Sequence, residues 1–123
     1  MLPRIAPIFL LTTFLTLFSP LQVRAEEAVG TASFYGAGEP LNTHTAMNIP
    51  FDADLLECAS WNYPLGSVLK VTSLRTGRSV IVRCTDRGPS KKLNRVIDLT
   101  FHAFSLIDDP RKGLTPVQVE RVR

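Results

Sequence analysis

The chain has 123 residues, 14 Lys and Arg against 11 Asp and Glu, a formal charge of +3, a sequence isoelectric point near 9.2 and a mean hydropathy of +0.11. That length accommodates one domain. Two cysteines exclude a four-cysteine zinc knuckle or a dense disulfide scaffold. No run approaches the roughly 20 apolar residues of a membrane-spanning helix, and nine prolines with seven glycines favour turns over long helices.

Composition is uneven along the chain. Arg4 is the only charge before Arg24, Ile5 to Phe18 is almost wholly apolar, and Ser19-Pro20 then breaks the run. Val23-Arg24-Ala25 puts small residues at the −3 and −1 positions, so residues 1–25 read as a secretory signal peptide cleaved after Ala25. The remaining 26–123 segment carries 12 basic and 11 acidic residues, so the basicity and apolar average belong partly to the leader. No Cys stands near the cleavage site, so the expected product is exported, periplasmic or secreted, without a lipid anchor. In an oxidising compartment the even pair Cys58 and Cys84 is expected to form one disulfide. It would close a loop of about 27 residues and contribute on the order of 3.5 kcal/mol. Two free thiols or a nucleophilic Cys are the alternatives.

The mature segment reads as short strands joined by turns. Gly30 to Tyr35 is β-rich, and Gly36, Gly38 and Pro40 mark a loop. Residues 41–50 are polar and irregular. A helical turn is expected within Phe51–Ala59, with Asp52 as its N-cap. Ser67–Leu74 and Arg78–Thr85 alternate around the tight turn Arg75-Thr76-Gly77 and predict a hairpin, with Val80, Val82 and Cys84 on one face. Asp86-Arg87-Gly88-Pro89 breaks the second strand. Val96–Leu99 is a short buried strand, and Thr100 caps a helix over Phe101–Ile107 that Asp108-Asp109-Pro110 stops. Thr115–Val122 is the last strand. Six or so short strands with one or two minimal helices predict a mainly β fold, a small barrel.

Seven segments in order carry a family resemblance: Ala32-Ser-Phe-Tyr-Gly36, Thr45-Ala46 leading to Pro50-Phe-Asp52, Tyr63-Pro-Leu-Gly66, Leu69-Lys-Val-Thr72, Thr76-Gly-Arg-Ser-Val80, Asp86-Arg-Gly-Pro89 and Ile97-Asp-Leu99. Together they resemble the domain of rare lipoprotein A (RlpA), related to barwin and expansin domains. The resemblance covers nearly all of Gly30 to Val122. It implies a six-stranded double-psi β-barrel and a cell-wall glycan partner. In characterised members it implies lytic transglycosylase activity on peptidoglycan strands lacking stem peptides. No cofactor, metal, nucleic-acid partner or integral membrane segment of the mature chain is implied, and a monomer is expected.

That chemistry needs a carboxyl to protonate the glycosidic oxygen and stabilisation of an oxocarbenium-like centre, which the sugar's own hydroxyl then traps. Asp86 matches the Asp of the family's D-R-G-P motif and is the candidate general acid and base. Arg87 is adjacent and Arg83 near, and cations lower a carboxyl pKa, so their side chains must point elsewhere if Asp86 is to hold a proton. The plain alternative is that Asp86 only caps its turn. Asp98 matches the family's I-D-L-S pattern and is expected to fix the strand-to-helix turn.

Two positions depart from the family: Ile49 stands where members carry Glu, and Ser60 where they carry His. His44 is a loop residue with the chemistry to compensate, and His102 falls in the short helix. Tyr35, Thr45, Trp61 and Arg87 are the candidate substrate-binding residues. Tyr35, Trp61 and Tyr63 offer aromatic faces for sugar C–H groups, whereas Phe34, Phe51 and Phe101 are expected in the core. From Lys70 to Arg95 eight basic residues face one acid, Asp86, a strip suited either to solvated strand edges or to an anionic polymer. The rival readings are a non-catalytic, expansin-like module that binds wall glycan and a secreted scaffold or effector.

Overall fold

The alternating runs build the hairpin the sequence predicts, β3 (Val68–Ser73) against β4 (Ser79–Asp86), with Leu69 opposite Val82 and Val71 opposite Val80. Its inward side chains, Leu69, Val71, Val80, Val82 and Cys84, are all buried, while Ile81 and Arg83 face outward. The other strands are β1 (Glu27–Tyr35), β2 (Glu57–Ala59), β5 (Ile97–Thr100) and β6 (Thr115–Arg121). They close a barrel in the order β1-β5-β2-β4-β3-β6, which leaves no open edge. Two pairs, β1 with β5 and β2 with β4, are parallel; the remaining four are antiparallel. The computed structural model describes residues 2–4, 27–89 and 95–123. The predicted signal segment, apart from residues 2–4, and the basic pair Lys91-Lys92 lie outside those residues.

Helix α1 (Phe101–Ile107) closes one side of the core. Thr100 caps it as expected: its Oγ1 accepts from the Ala103 N–H at 3.3 Å and donates to the Leu55 carbonyl at 2.6 Å. Asp108 ends it, and a short 3-10 turn, Pro110–Lys112, follows. Phe104 is fully buried and packs on Phe34 with ring centroids 4.9 Å apart.

Several expectations change. The helical turn within Phe51–Ala59 is a turn followed by a strand. The Asp52 side chain accepts from the Asp54 N–H at 3.0 Å, its carbonyl accepts from Leu55 at 3.2 Å, and the chain then enters β2. A three-residue strand is too short to show a period in sequence. Phe101 is 38% exposed rather than core, because α1 turns Ala103, Phe104 and Ile107 inward. Tyr63 is core rather than a loop platform, buried to 6% exposure. Within the basic strip, Arg75 pairs bidentately with Asp108, its Nε 3.0 Å from Oδ2, and that guanidinium holds Asp108 well below the usual carboxylate range.

Candidate functional site

The segment after β1 folds over the end of β4. The Thr45 carbonyl accepts from the Asn48 N–H at 2.8 Å, which makes residues 45–48 a β-turn, and the Met47 N–H donates to the Thr85 carbonyl at 3.2 Å. This turn aims the Ala46 N–H at Asp86, whose Oδ1 accepts it at 2.9 Å. The Arg87 N–H donates to the same oxygen, also at 2.9 Å. Both bonds fall on Oδ1 and fix the carboxyl plane. Asp86 therefore does more than cap its own turn, since one donor comes from forty residues away.

Asp86 lines an open groove with a cavity of about 160 Å³. Tyr35, Leu41, Phe51 and Ala59 form its apolar wall, and Arg87 and Asp98 share its polar side. Phe51, expected in the core, packs edge-on to Tyr35 here with centroids 5.8 Å apart. The Tyr35 hydroxyl is buried and has no hydrogen-bond partner among the described residues. Its pKa is raised well above the ordinary tyrosine value, first by burial and then by nearby anions that include Asp86 and Asp98.

Arg87 does not turn its guanidinium to Asp86. Its Nη1 donates to the carbonyls of Ser60, at 2.9 Å, and Tyr63, at 2.6 Å, tying the 60–63 loop to the groove. This meets the requirement that the neighbouring cation point elsewhere. Thr45 is buried and its Oγ1 accepts from the Met47 N–H, so it builds the turn whose next residue holds Asp86. Trp61 is 49% exposed; its Nε1 donates to the Pro89 carbonyl at 2.8 Å, and it stands outside the residues that line the groove.

Asp98 differs from the sequence expectation. It does not bond the strand-to-helix turn, which Thr100 organises. It accepts at Oδ1 from the Ser33 hydroxyl, its register partner on β1. Burial raises its pKa to about 6, with Arg95 opposing and Glu39 reinforcing the shift. Sequence reading missed Ser33 altogether; only the parallel β1–β5 pairing brings it to Asp98.

The two replaced family positions, Ile49 and Ser60, carry no titratable side chain. Ser60 is fully buried, donating to the Val96 carbonyl at 3.3 Å and accepting from the Asn62 N–H at 3.1 Å. Ile49 offers its carbonyl to the Thr45 N–H. His44 is exposed beside Thr43.

The expected disulfide is not formed in this structure. Cys58 and Cys84 are free, buried thiols, yet they are direct register partners on β2 and β4. Burial pushes the Cys58 thiol up. Among the described residues, no group of three or more His, Cys, Asp or Glu is placed to hold a metal ion, and no helix is long and apolar enough to cross a membrane.

The closed barrel with two parallel pairs and a carboxyl-lined groove is that of a double-psi β-barrel protein. A family model described as "Lytic transglycolase" matches residues 27–119, and the chain belongs to this family. Its curated relatives include the endolytic peptidoglycan transglycosylase RlpA of Campylobacter jejuni, 40% identical over 95 residues, and that of Pseudomonas aeruginosa, 40% identical over 99. These matches cover 77% and 80% of this chain but only 34% and 28% of the relatives, so the chain spans about a third of their length. Among solved structures, apo-expansin of Clavibacter michiganensis superposes with a TM-score of 0.62 at 26% identity, covering 79% of this chain and 50% of that one. The Streptomyces papain inhibitor reaches the same TM-score at 22% identity, over 79% and 94%, and shows the fold alone.

Proposed function

We propose that the chain is an exported lytic transglycosylase that cleaves peptidoglycan glycan strands lacking stem peptides, with Asp86 acting on the reacting sugar. The observation that carries this reading is the position of Asp86, beside Tyr35 on the wall of an open groove rather than beneath its turn. Asp86 gives its proton to the glycosidic oxygen as the C1–O bond breaks, and its carboxylate, fixed at Oδ1 by two backbone N–H groups, is preorganised to stabilise the positive charge left at C1. The C6 hydroxyl of the same sugar then closes on C1, and Asp86 Oδ2, which carries neither backbone bond, takes up its proton. Tyr35 meets the sugar from the groove wall. Trp61, half exposed beside the 87–89 turn, offers a stacking face for the continuing strand. After export, Cys58 and Cys84 oxidise to a bridge, for which their register places them suitably.

The test is incubation of the purified chain with denuded glycan strands. Release of 1,6-anhydro ends, lost in Asp86→Asn, supports the enzyme. Pelleting with sacculi without such ends supports a wall-binding module instead. Neither binding nor cleavage supports a scaffold.

A further inference from the structure

We propose that a second cavity, between the β3–β4 turn and the end of α1, binds a zwitterionic peptide with the chemistry of a peptidoglycan stem: a free carboxylate with an amine close by. Occupancy of this site needs no bond cleavage, so it is tested apart from the transglycosylase reading.

The cavity holds about 440 Å³, within the roughly 300–1,000 Å³ typical of ligand pockets. Arg75, Thr76 and Arg78 of the hairpin turn form one wall; Ser105, Asp108 and Asp109 at the end of α1 form the other. The two walls are tied together. The Arg75 guanidinium grips the buried Asp108 carboxyl, and the Thr76 hydroxyl donates to the Ile107 carbonyl at 2.5 Å. Ser73 Oγ accepts from the Arg75 and Thr76 N–H groups at 3.3 and 3.2 Å, which holds the turn from within. The site is therefore preformed, and a ligand pays little ordering cost on entry. Donors remain open in it. Arg75 gives two N–H groups to Asp108, but a guanidinium has five, and this side chain is 46% exposed. The Arg78 guanidinium is exposed and makes no hydrogen bond or ion pair among the described residues. On the facing wall Asp109 is clasped by Arg111, yet its side chain stays 32% exposed. The length of β4 separates this turn from Asp86, roughly 20–25 Å along the strand. A peptide bound here leaves the Asp86 groove open.

Charge selects the ligand. Two cations, Arg75 and Arg78, face two anions, Asp108 and Asp109. A phosphate or a polyanion meets repulsion from the acidic wall along with attraction from the basic one. A zwitterion satisfies both: its planar carboxylate accepts the forked N–H groups of Arg78 and Arg75, and its ammonium faces Asp109. Stem peptides carry free carboxylates and, where one residue is a diamino acid, a free amine. In the wall they hang from strands that neighbour a bare one. Holding one of them here raises the local concentration of bare strand at the groove.

The probe is the tripeptide L-alanyl-γ-D-glutamyl-meso-diaminopimelate, titrated into the isotope-labelled chain and followed by amide NMR shifts. Saturable shifts should centre on residues 75–78 and 105–109 and leave Ala46 and Arg87 unmoved. Arg78→Gln should weaken the peptide about tenfold or more, as suits loss of a charge-assisted contact, and Arg78→Lys should recover only part of it. Acetylating the peptide's amines should weaken its binding to wild type several-fold. On sacculi that carry stem peptides, Arg78→Gln should release 1,6-anhydro ends about threefold or more slowly than wild type, with the rate on soluble denuded strands unchanged. No saturable shift, shifts confined to the Asp86 groove, or an Arg78→Gln variant that binds like wild type overturns the proposal. Inorganic phosphate that binds as tightly as the peptide also overturns it, since that marks a plain anion site. Arg78→Gln leaves the Arg75–Asp108 tie intact, so the fold should hold. If its melting temperature falls instead, the acetylated peptide on wild type decides, and binding equal to that of the free peptide overturns the proposal. If the peptide binds here but no substrate yields 1,6-anhydro ends, the site stands and the transglycosylase reading fails alone.

Discussion

The backbone N–H of Ala46 reaches 2.9 Å to Oδ1 of Asp86, joining a loop turn to the end of β4. Ala46 is the second residue of the 45–48 β-turn, a position at which proline is favoured. Ala46→Pro should therefore keep the turn and delete only the donor. The expected outcome is a fall of about tenfold or more in kcat/KM, as suits loss of a hydrogen bond to a charged group, with an unchanged melting temperature. Steady-state kinetics on glycan strands, set beside a thermal melt, check it, and Ala46→Gly, which keeps the N–H, should retain activity.

Ala59 separates the two groove carboxyls, Asp86 and Asp98. Ala59→Val adds two methyl groups where an added Gly88 Cβ would already lie 3.4 Å from the Ala59 Cβ. Overpacking of this kind costs about 1–3 kcal/mol, and the new side chain fills the space between Asp86 and Asp98. Activity should be lost while a cooperative, somewhat lower unfolding transition remains in circular dichroism.

Stability should depend on pH through Asp98. Its folded value of about 6 lies above the roughly 3.9 of an unfolded aspartate. The folded state thus binds this proton more tightly. The resulting stabilisation is fully present below pH about 4 and is lost as pH rises through about 6. Asp98→Asn removes that loss. Urea titrations should find the variant more stable than wild type at pH 7.5, by on the order of 2 kcal/mol, and close to it at pH 4.

Oxidation of Cys58 and Cys84 should stabilise the barrel by on the order of 3 kcal/mol through a loop of about 27 residues. A melt of the oxidised protein with and without reductant checks this, and Cys58→Ser with Cys84→Ser should abolish the difference. No change on reduction would mean that the pair stays as thiols.

Much of the architecture is legible in the chain itself. The period-two runs of β3 and β4, the Thr100 cap, the Asp108 stop and the Val117–Val119 alternation each act through near neighbours, so their consequences are local. β2 was not legible, because three residues carry no period and their strand character comes from β4 and β5 on either side.

By itself, the sequence determined the strand content, the capped helix, the family motifs and Asp86 as the residue to test. Only the tertiary structure decided what surrounds that residue. It turned the Arg87 guanidinium to the Ser60 and Tyr63 carbonyls, carried Ala46 to Asp86, and aligned Ser33, Asp98, Ala59 and Asp86 in one row. The net charge met first in the composition proved a poor guide for the same reason, since Arg75 and Arg87 are engaged internally. Parallel pairing joins strands that lie far apart in the chain. Burial, which raises Asp98, is a property of the closed barrel and of no single segment.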